Sequence, residues 1–284
     1  MTATTAEEAA LPVPDPRGTA PDAAAPSPAA SPAASPTTSP VTSLATSATT
    51  SPATSATAAS SVLSPLSATA LTPLKPKLRG WLHAGMFPAS VAAGIVLICL
   101  ADSTSARIAC AVYSVSAWML FGISAVYHRF TWGPRGEAVL RRLDHSNIFL
   151  IIAGSYTPFT ILLLSGGRQQ LLLWLVWIGA LAGIAFRVFW VGAPRWLYTP
   201  CYIALGWAAV FFLPDFLRTG GVAVVVLLVV GGLLYSAGGV IYGLKRPNPS
   251  PRWFGFHEVF HLCTLAAFIV QYVGVSIVAY TAVS

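Results

Sequence analysis

Apolar residues in this chain gather into long runs separated by short polar breaks. Each run is long enough to cross a bilayer core at about 1.5 Å of rise per residue. The pattern predicts helices over 82–101, 108–128, 143–164, 171–191, 197–213, 222–244 and 256–280. The breaks between them carry turn chemistry, as in Trp132-Gly133-Pro134, Ser165-Gly166-Gly167, Gly192-Ala193-Pro194 and Pro247-Asn248-Pro249. The first span has the softest boundary, because Pro88 and Gly94 interrupt it. The expected fold class is all-α integral membrane, a seven-transmembrane helix bundle occupying 76–284.

Composition agrees with that class. The chain is 55% hydrophobic and only 9% charged, where a soluble domain carries roughly 25% charged residues. A formal charge of +7 would suit a nucleic-acid partner if the bases lined one face. They lie between the apolar spans instead, so no nucleic acid is expected and their role is to orient the chain. Lys75, Lys77, Arg79, Arg129, Arg135, Arg141, Arg142, Arg187, Arg195, Lys245, Arg246 and Arg252 fall on one side of the predicted bundle, against only Arg107, Arg168 and Arg218 on the other. By the positive-inside rule the N-terminus is cytoplasmic and the C-terminus outside. Arg187 lies within the fourth span, near enough to its cytoplasmic end to snorkel. The expected location is the plasma membrane, with membrane lipids as the partners.

Residues 1–75 are rich in Ala, Pro, Ser and Thr, with few charges and almost no aromatics. Such a segment has too little apolar surface to offset its ordering entropy, so a disordered cytoplasmic tail is expected. Its opening lacks the basic and apolar regions of a standard signal peptide. Cys99, Cys110, Cys201 and Cys263 all fall inside apolar runs; their spacing fits no zinc ribbon, and they read as packing residues.

Candidate chemistry collects at one end of the predicted bundle. His257 and His261 are four residues apart, so on a helix they share a face and can share an ion. His128 closes the second span at the same membrane side, and Ser124 lies one turn deeper. Asp144 opens the third span. Ionisable side chains at membrane depth are costly and usually functional, and three imidazoles with an open fourth position suit a catalytic zinc ion. Zinc can lower the pKa of its water to about 7; Asp144 would orient that water or take its proton, and Ser124 would support the site or polarise a substrate. Each residue also has a plainer role open to it. A lone interfacial histidine commonly bonds a headgroup or carbonyl, Asp144 could cap the third helix, and Ser124 could bond back to its own helix. His83 and His145 have no partner at ligand spacing and stay outside the expected site. The run His257-Glu258-Val259-Phe260-His261 also matches H-E-x-x-H of zinc proteases. No Asp, Glu or His follows His261, so that reading would need His128 as the third ligand.

Several stretches together resemble the hemolysin III family, bacterial relatives of the progestin and adiponectin receptor (PAQR) superfamily. They are Arg79-Gly80-Trp81-Leu82-His83, Ser124-Ala125-Val126-Tyr127-His128, Leu143-Asp144-His145-Ser146, Gly154-Ser155-Tyr156-Thr157-Pro158, Ile241-Tyr242-Gly243-Leu244-Lys245-Arg246-Pro247 and Gly255-Phe256-His257-Glu258-Val259-Phe260-His261. The resemblance covers roughly residues 75–284. It implies a seven-helix bundle with a cytoplasmic amino end and zinc held by His128, His257 and His261, with Ser124 and Asp144 beside the metal. Ceramidase-like amidases in the wider superfamily imply hydrolysis of a lipid amide or ester. Two other functions stay open: a membrane-homeostasis regulator or receptor-like sensor with structural zinc, and a cytolytic haemolysin. The sequence shows no strand pattern or detachable amphipathic segment that would build a pore.

Overall fold

A computed structural model describes residues 76–190 and 192–281. The expected disordered tail, and the last residue of the expected fourth span, lie outside these. The described residues form helices α1 (Trp81–Leu100), α2 (Thr104–Arg129), α3 (Pro134–Leu163), α4 (Gly166–Phe189), α5 (Arg195–Gly206), α6 (Leu213–Leu244) and α7 (Phe256–Thr281), with a short 3₁₀ turn, Ala208–Phe212, between α5 and α6. Among them there is no strand, only an isolated bridge between Ser250 and Phe254. Six helical stretches are long and apolar enough to cross a membrane; the fifth, Arg195–Leu244, runs over 50 residues and contains both α5 and α6.

That fifth stretch is not one straight rod. At Gly221 the backbone leaves helical geometry with φ 75° and ψ 177°, a conformation glycine adopts without steric cost. Contacts on either side of the break pair residues in reverse order. Arg195 Nη1 donates to the Tyr242 carbonyl at 3.3 Å, while Trp207 Nε1 donates to Ser236 Oγ at 2.8 Å. The chain therefore folds back, and α5 lies antiparallel to the second half of α6.

Helix ends differ from the expected ones where capping overrides hydropathy. Ser103 caps α2 by accepting from the Ala106 N–H at 3.0 Å, so the helix begins before its apolar run does. The third helix starts at Pro134, nine residues ahead of the expected span, with proline in the first turn and Glu137 close behind. Proline there lacks only an N–H that would have had no partner, and an acid there favours the helix dipole. At the other end of α3, Gln169 Nε2 reaches the Ile161 and Leu164 carbonyls at 3.0 and 2.8 Å, satisfying acceptors the helix leaves open. Pro88 sits inside α1 without ending it, as membrane helices tolerate.

Burial divides the helices by role. In α3, 72% of the most apolar window is buried, against 22% in α1 and in α4. On α4 the exposed side chains Leu171, Trp174, Ile178 and Leu181 form an apolar outer face, while Leu172, Val176 and Ala180 point inward. An apolar outer face is what lipid contact requires. Trp81, Trp132, Trp190, Trp196 and Trp253 are all exposed. They lie at the starts of α1 and α5, at the end of α4, or in the loops before α3 and α7, one end of the bundle, as an interfacial aromatic belt does. Polar ties hold the inner helices in register. Trp118 Nε1 donates to the Ser90 carbonyl at 2.9 Å, Asn147 Nδ2 to the Met119 carbonyl at 2.9 Å, and Tyr272 Oη to the Ala93 carbonyl at 2.9 Å.

Candidate metal centre

The last turn of α2 and the first two turns of α7 meet at the belt end of the bundle. This brings together His128, His257 and His261, which offer one nitrogen each with all three within 4.8 Å of one another. Their residues are 7%, 8% and 2% exposed. His257 Nε2 stands 3.2 Å from His128 Nε2. Two nitrogens each about 2.05 Å from a tetrahedral zinc ion would stand about 3.3 Å apart, so this pair already has ligand spacing. Three acceptor nitrogens converging in a buried place suit a divalent cation such as zinc, and the donor set fits.

Asp144 joins the cluster from α3, its Oδ2 3.7 Å from His128 Nε2 and its side chain 11% exposed. It stands ten residues inside α3 rather than at the helix start. Capping is therefore not its role, and the expectation that it opens the third helix is corrected. The early start at Pro134 is the reason. Ser124, buried one turn before His128, lines the same end of the cavity as Asp144, its Oγ without a hydrogen-bond partner among the described residues. All five residues singled out in the sequence thus lie at one end of the bundle.

Glu258 does something else. Its carboxylate pairs with Arg79 and accepts from the Gly255 N–H at 2.8 Å. That ties the segment ahead of α1 to the start of α7, helped by the Lys77 N–H donating to the Arg252 carbonyl at 3.1 Å. A glutamate engaged in this way is not free to act as the base of an H-E-x-x-H protease.

Two histidines left out of the expected site lie against it. His83, 2% exposed, stacks on His261 with ring centroids 3.8 Å apart and planes 8° from parallel, which fixes the orientation of the His261 ring. His145 belongs to a separate polar cluster. Arg187 Nη2 is 2.9 Å from His145 Nδ1, and Tyr242 Oη is 3.2 Å from His145 Nε2. A guanidinium has no acceptor, so Nδ1 must accept and Nε2 must carry the proton. Tyr242 therefore receives a hydrogen bond from His145 and directs its own O–H elsewhere; Tyr198 Oη is 3.3 Å away. Arg187 is 2% exposed and lies over the Tyr198 ring at 4.2 Å. It does not snorkel as expected, because this cluster holds it inside. No spacing rule in the sequence joins residues 145, 187, 198 and 242; the nearest signal was an arginine placed within an apolar span.

The centre opens on a cavity lined by residues of α2, α3, α5, α6 and α7, with His83 of α1 among them. Ser124, Asp144, His257 and His261 line its belt end, and Phe159, Leu228 and Gln271 line it farther in. From His257 to Gln271 along α7 is about 21 Å at the helical rise, more than the roughly 15 Å hydrocarbon depth of one leaflet.

An all-helical bundle with lipid-facing apolar surfaces and a buried three-histidine cluster defines a polytopic membrane protein of the cell membrane. Its family follows from comparison with known proteins. Residues 71–272 match the model of the family described as haemolysin-III related, and the chain belongs to that family, within the PAQR superfamily. Hemolysin-3 of Bacillus cereus is 38% identical over 159 residues, covering 54% of this chain and 71% of that protein. A Hemolysin-3 homolog of Bacillus subtilis is 34% identical over 146 residues, covering 51% and 68%. The human monocyte to macrophage differentiation factor is 23% identical over 194 residues, covering 67% and 78%.

Proposed function

We propose that this protein crosses the membrane seven times with its N-terminus in the cytoplasm, and that it is a zinc-dependent hydrolase of a lipid amide or ester. The reversal at Gly221 within α6 supports the count, since it turns one long apolar stretch into two antiparallel passes. The excess of Lys and Arg on the belt side supports the orientation. The observation that carries the activity is the junction itself: a three-histidine donor set, a carboxylate and a hydroxyl stand at one mouth of a long, mainly apolar cavity.

Zinc held by His128, His257 and His261 would supply Lewis acidity toward a carbonyl oxygen and toward water. The chain's own residues account for the rest. The cavity takes up an acyl chain from the bilayer and sets its carbonyl at the histidine end, excluding bulk water. Ionised Asp144 can take the proton of the attacking water at Oδ2 and return it to the leaving group. Ser124 keeps an uncommitted hydroxyl at the same end of the cavity, available to polarise the substrate. His83 keeps the His261 ring from turning.

The test is turnover of purified, zinc-loaded protein on an N-acyl sphingosine and on 4-nitrophenyl dodecanoate, compared with Asp144→Asn at equal zinc content. The expected result is a loss on the order of 100-fold or more in the variant. Equal turnover would remove Asp144 from the chemistry. Absence of turnover in fully loaded wild type, with a melting point that collapses on chelation, would make the metal a clamp between α2 and α7.

A further inference from the structure

The far end of the cavity is not apolar. Most hydroxyls that line the cavity are already committed: Ser155 donates to the Ile152 carbonyl at 2.8 Å, Thr264 to Phe260 at 3.0 Å, and Ser236 to Gly232 at 2.8 Å. Ser124 Oγ and Thr199 Oγ1 are not, and neither are Tyr235 Oη and Gln271 Oε1, the pair farther from the histidines. Both are buried atoms with no hydrogen-bond partner among the described residues, and both residues line the cavity. Gln271 is 6% exposed. A buried polar atom left unpaired is destabilising, so two of them in one region call for a partner.

The backbone makes room for this pair. A Cβ at Gly231 would come within 2.6 Å of Gln271 Nε2 and 2.9 Å of its Cγ, so a larger residue there would displace the amide. Tyr235 lies one turn from Gly231 on the same face of α6. The phenol and the amide therefore belong to the same level of the bundle, at the α6–α7 seam.

We propose that Tyr235 and Gln271 form a subsite for a hydrogen-bonding substituent, a hydroxyl, carried part-way along the acyl chain of the lipid bound in the cavity. The inference rests on the reading of this cavity as the seat of an acyl chain. Ten residues separate His261 from Gln271, about 15 Å along α7. An extended chain advances about 1.2 Å per bond, so a hydroxyl some twelve carbons from a carbonyl at the histidine end reaches the amide. Tyr235 can donate to that oxygen, and Gln271 Oε1 can accept its proton.

The experiment is displacement of radiolabelled octadecanoic acid from the purified full-length protein by unlabelled octadecanoic acid or 12-hydroxyoctadecanoic acid. It is repeated with Tyr235→Phe and with Gln271→Leu. The expected result is a preference of about fivefold to tenfold for the hydroxylated acid in wild type. Tyr235→Phe, a minimal change, should reduce it toward unity while leaving octadecanoic acid binding intact, as should Gln271→Leu. Equal displacement by the two acids in wild type overturns the subsite and leaves the acyl-chain cavity standing. A preference that persists in both variants overturns the assignment to these residues. Failure of the labelled acid to bind at all overturns the cavity's reading, and the subsite with it.

Discussion

Two histidine clusters lie side by side at one end of this bundle, and they resolve the cost of burying imidazoles in opposite ways. Around His145 the protein supplies its own cation. Arg187 donates to Nδ1, Nε2 is left to donate to Tyr242, and the ring is satisfied on both sides. Around His128, His257 and His261 the nitrogens face one another, with His128 Nε2 and His257 Nε2 3.2 Å apart. One shared proton can bridge one such pair, but three converging acceptors call for a cation from outside. The difference separates a structural histidine from a metal ligand more sharply than burial does, since His145 too is largely withdrawn from solvent.

The comparison can be broken most severely at the ligands. His261→Ala should abolish stoichiometric metal in purified protein, measured by elemental analysis, whereas Arg187→Met should leave metal content unchanged. Next in size, Asp144→Asn should weaken zinc affinity about 10–100-fold, as loss of a carboxylate beside a ligating histidine does; competition with a chromogenic chelator measures it. Arg187→Met should instead cost about 1–3 kcal/mol of stability through the unpaired His145 Nδ1, read as a lower melting temperature with zinc still bound. The smallest effect is expected for Tyr198→Phe, which removes only one weak contact of Tyr242. It should cost about 1 kcal/mol or less, with no change in zinc affinity.

The sequence revealed one cluster and hid the other for a physical reason. His257 and His261 announce themselves because helical periodicity puts residues four apart on one face, and His128 and Asp144 could be placed at the same end by counting spans. His145 shares its helix with neither Arg187 nor Tyr242, and no local period links them. His83 was passed over on the same ground, although the fold stacks it on His261. Helix ends followed a similar division. Hydropathy located the apolar centres of the helices, but Ser103 and Pro134 set where α2 and α3 begin, through capping and proline geometry that hydropathy does not register. The reversal at Gly221 falls between the expected fifth and sixth spans, where Pro214, Asp215, Arg218, Gly220 and Gly221 interrupt the apolar sequence.

Zinc K-edge X-ray absorption of the purified protein tests the central claim most directly. The account predicts about three imidazole nitrogens around the metal at roughly 2.0–2.1 Å, falling by one in a His128→Ala variant. A sulfur shell near 2.3 Å, or a spectrum unchanged by that substitution, would contradict it.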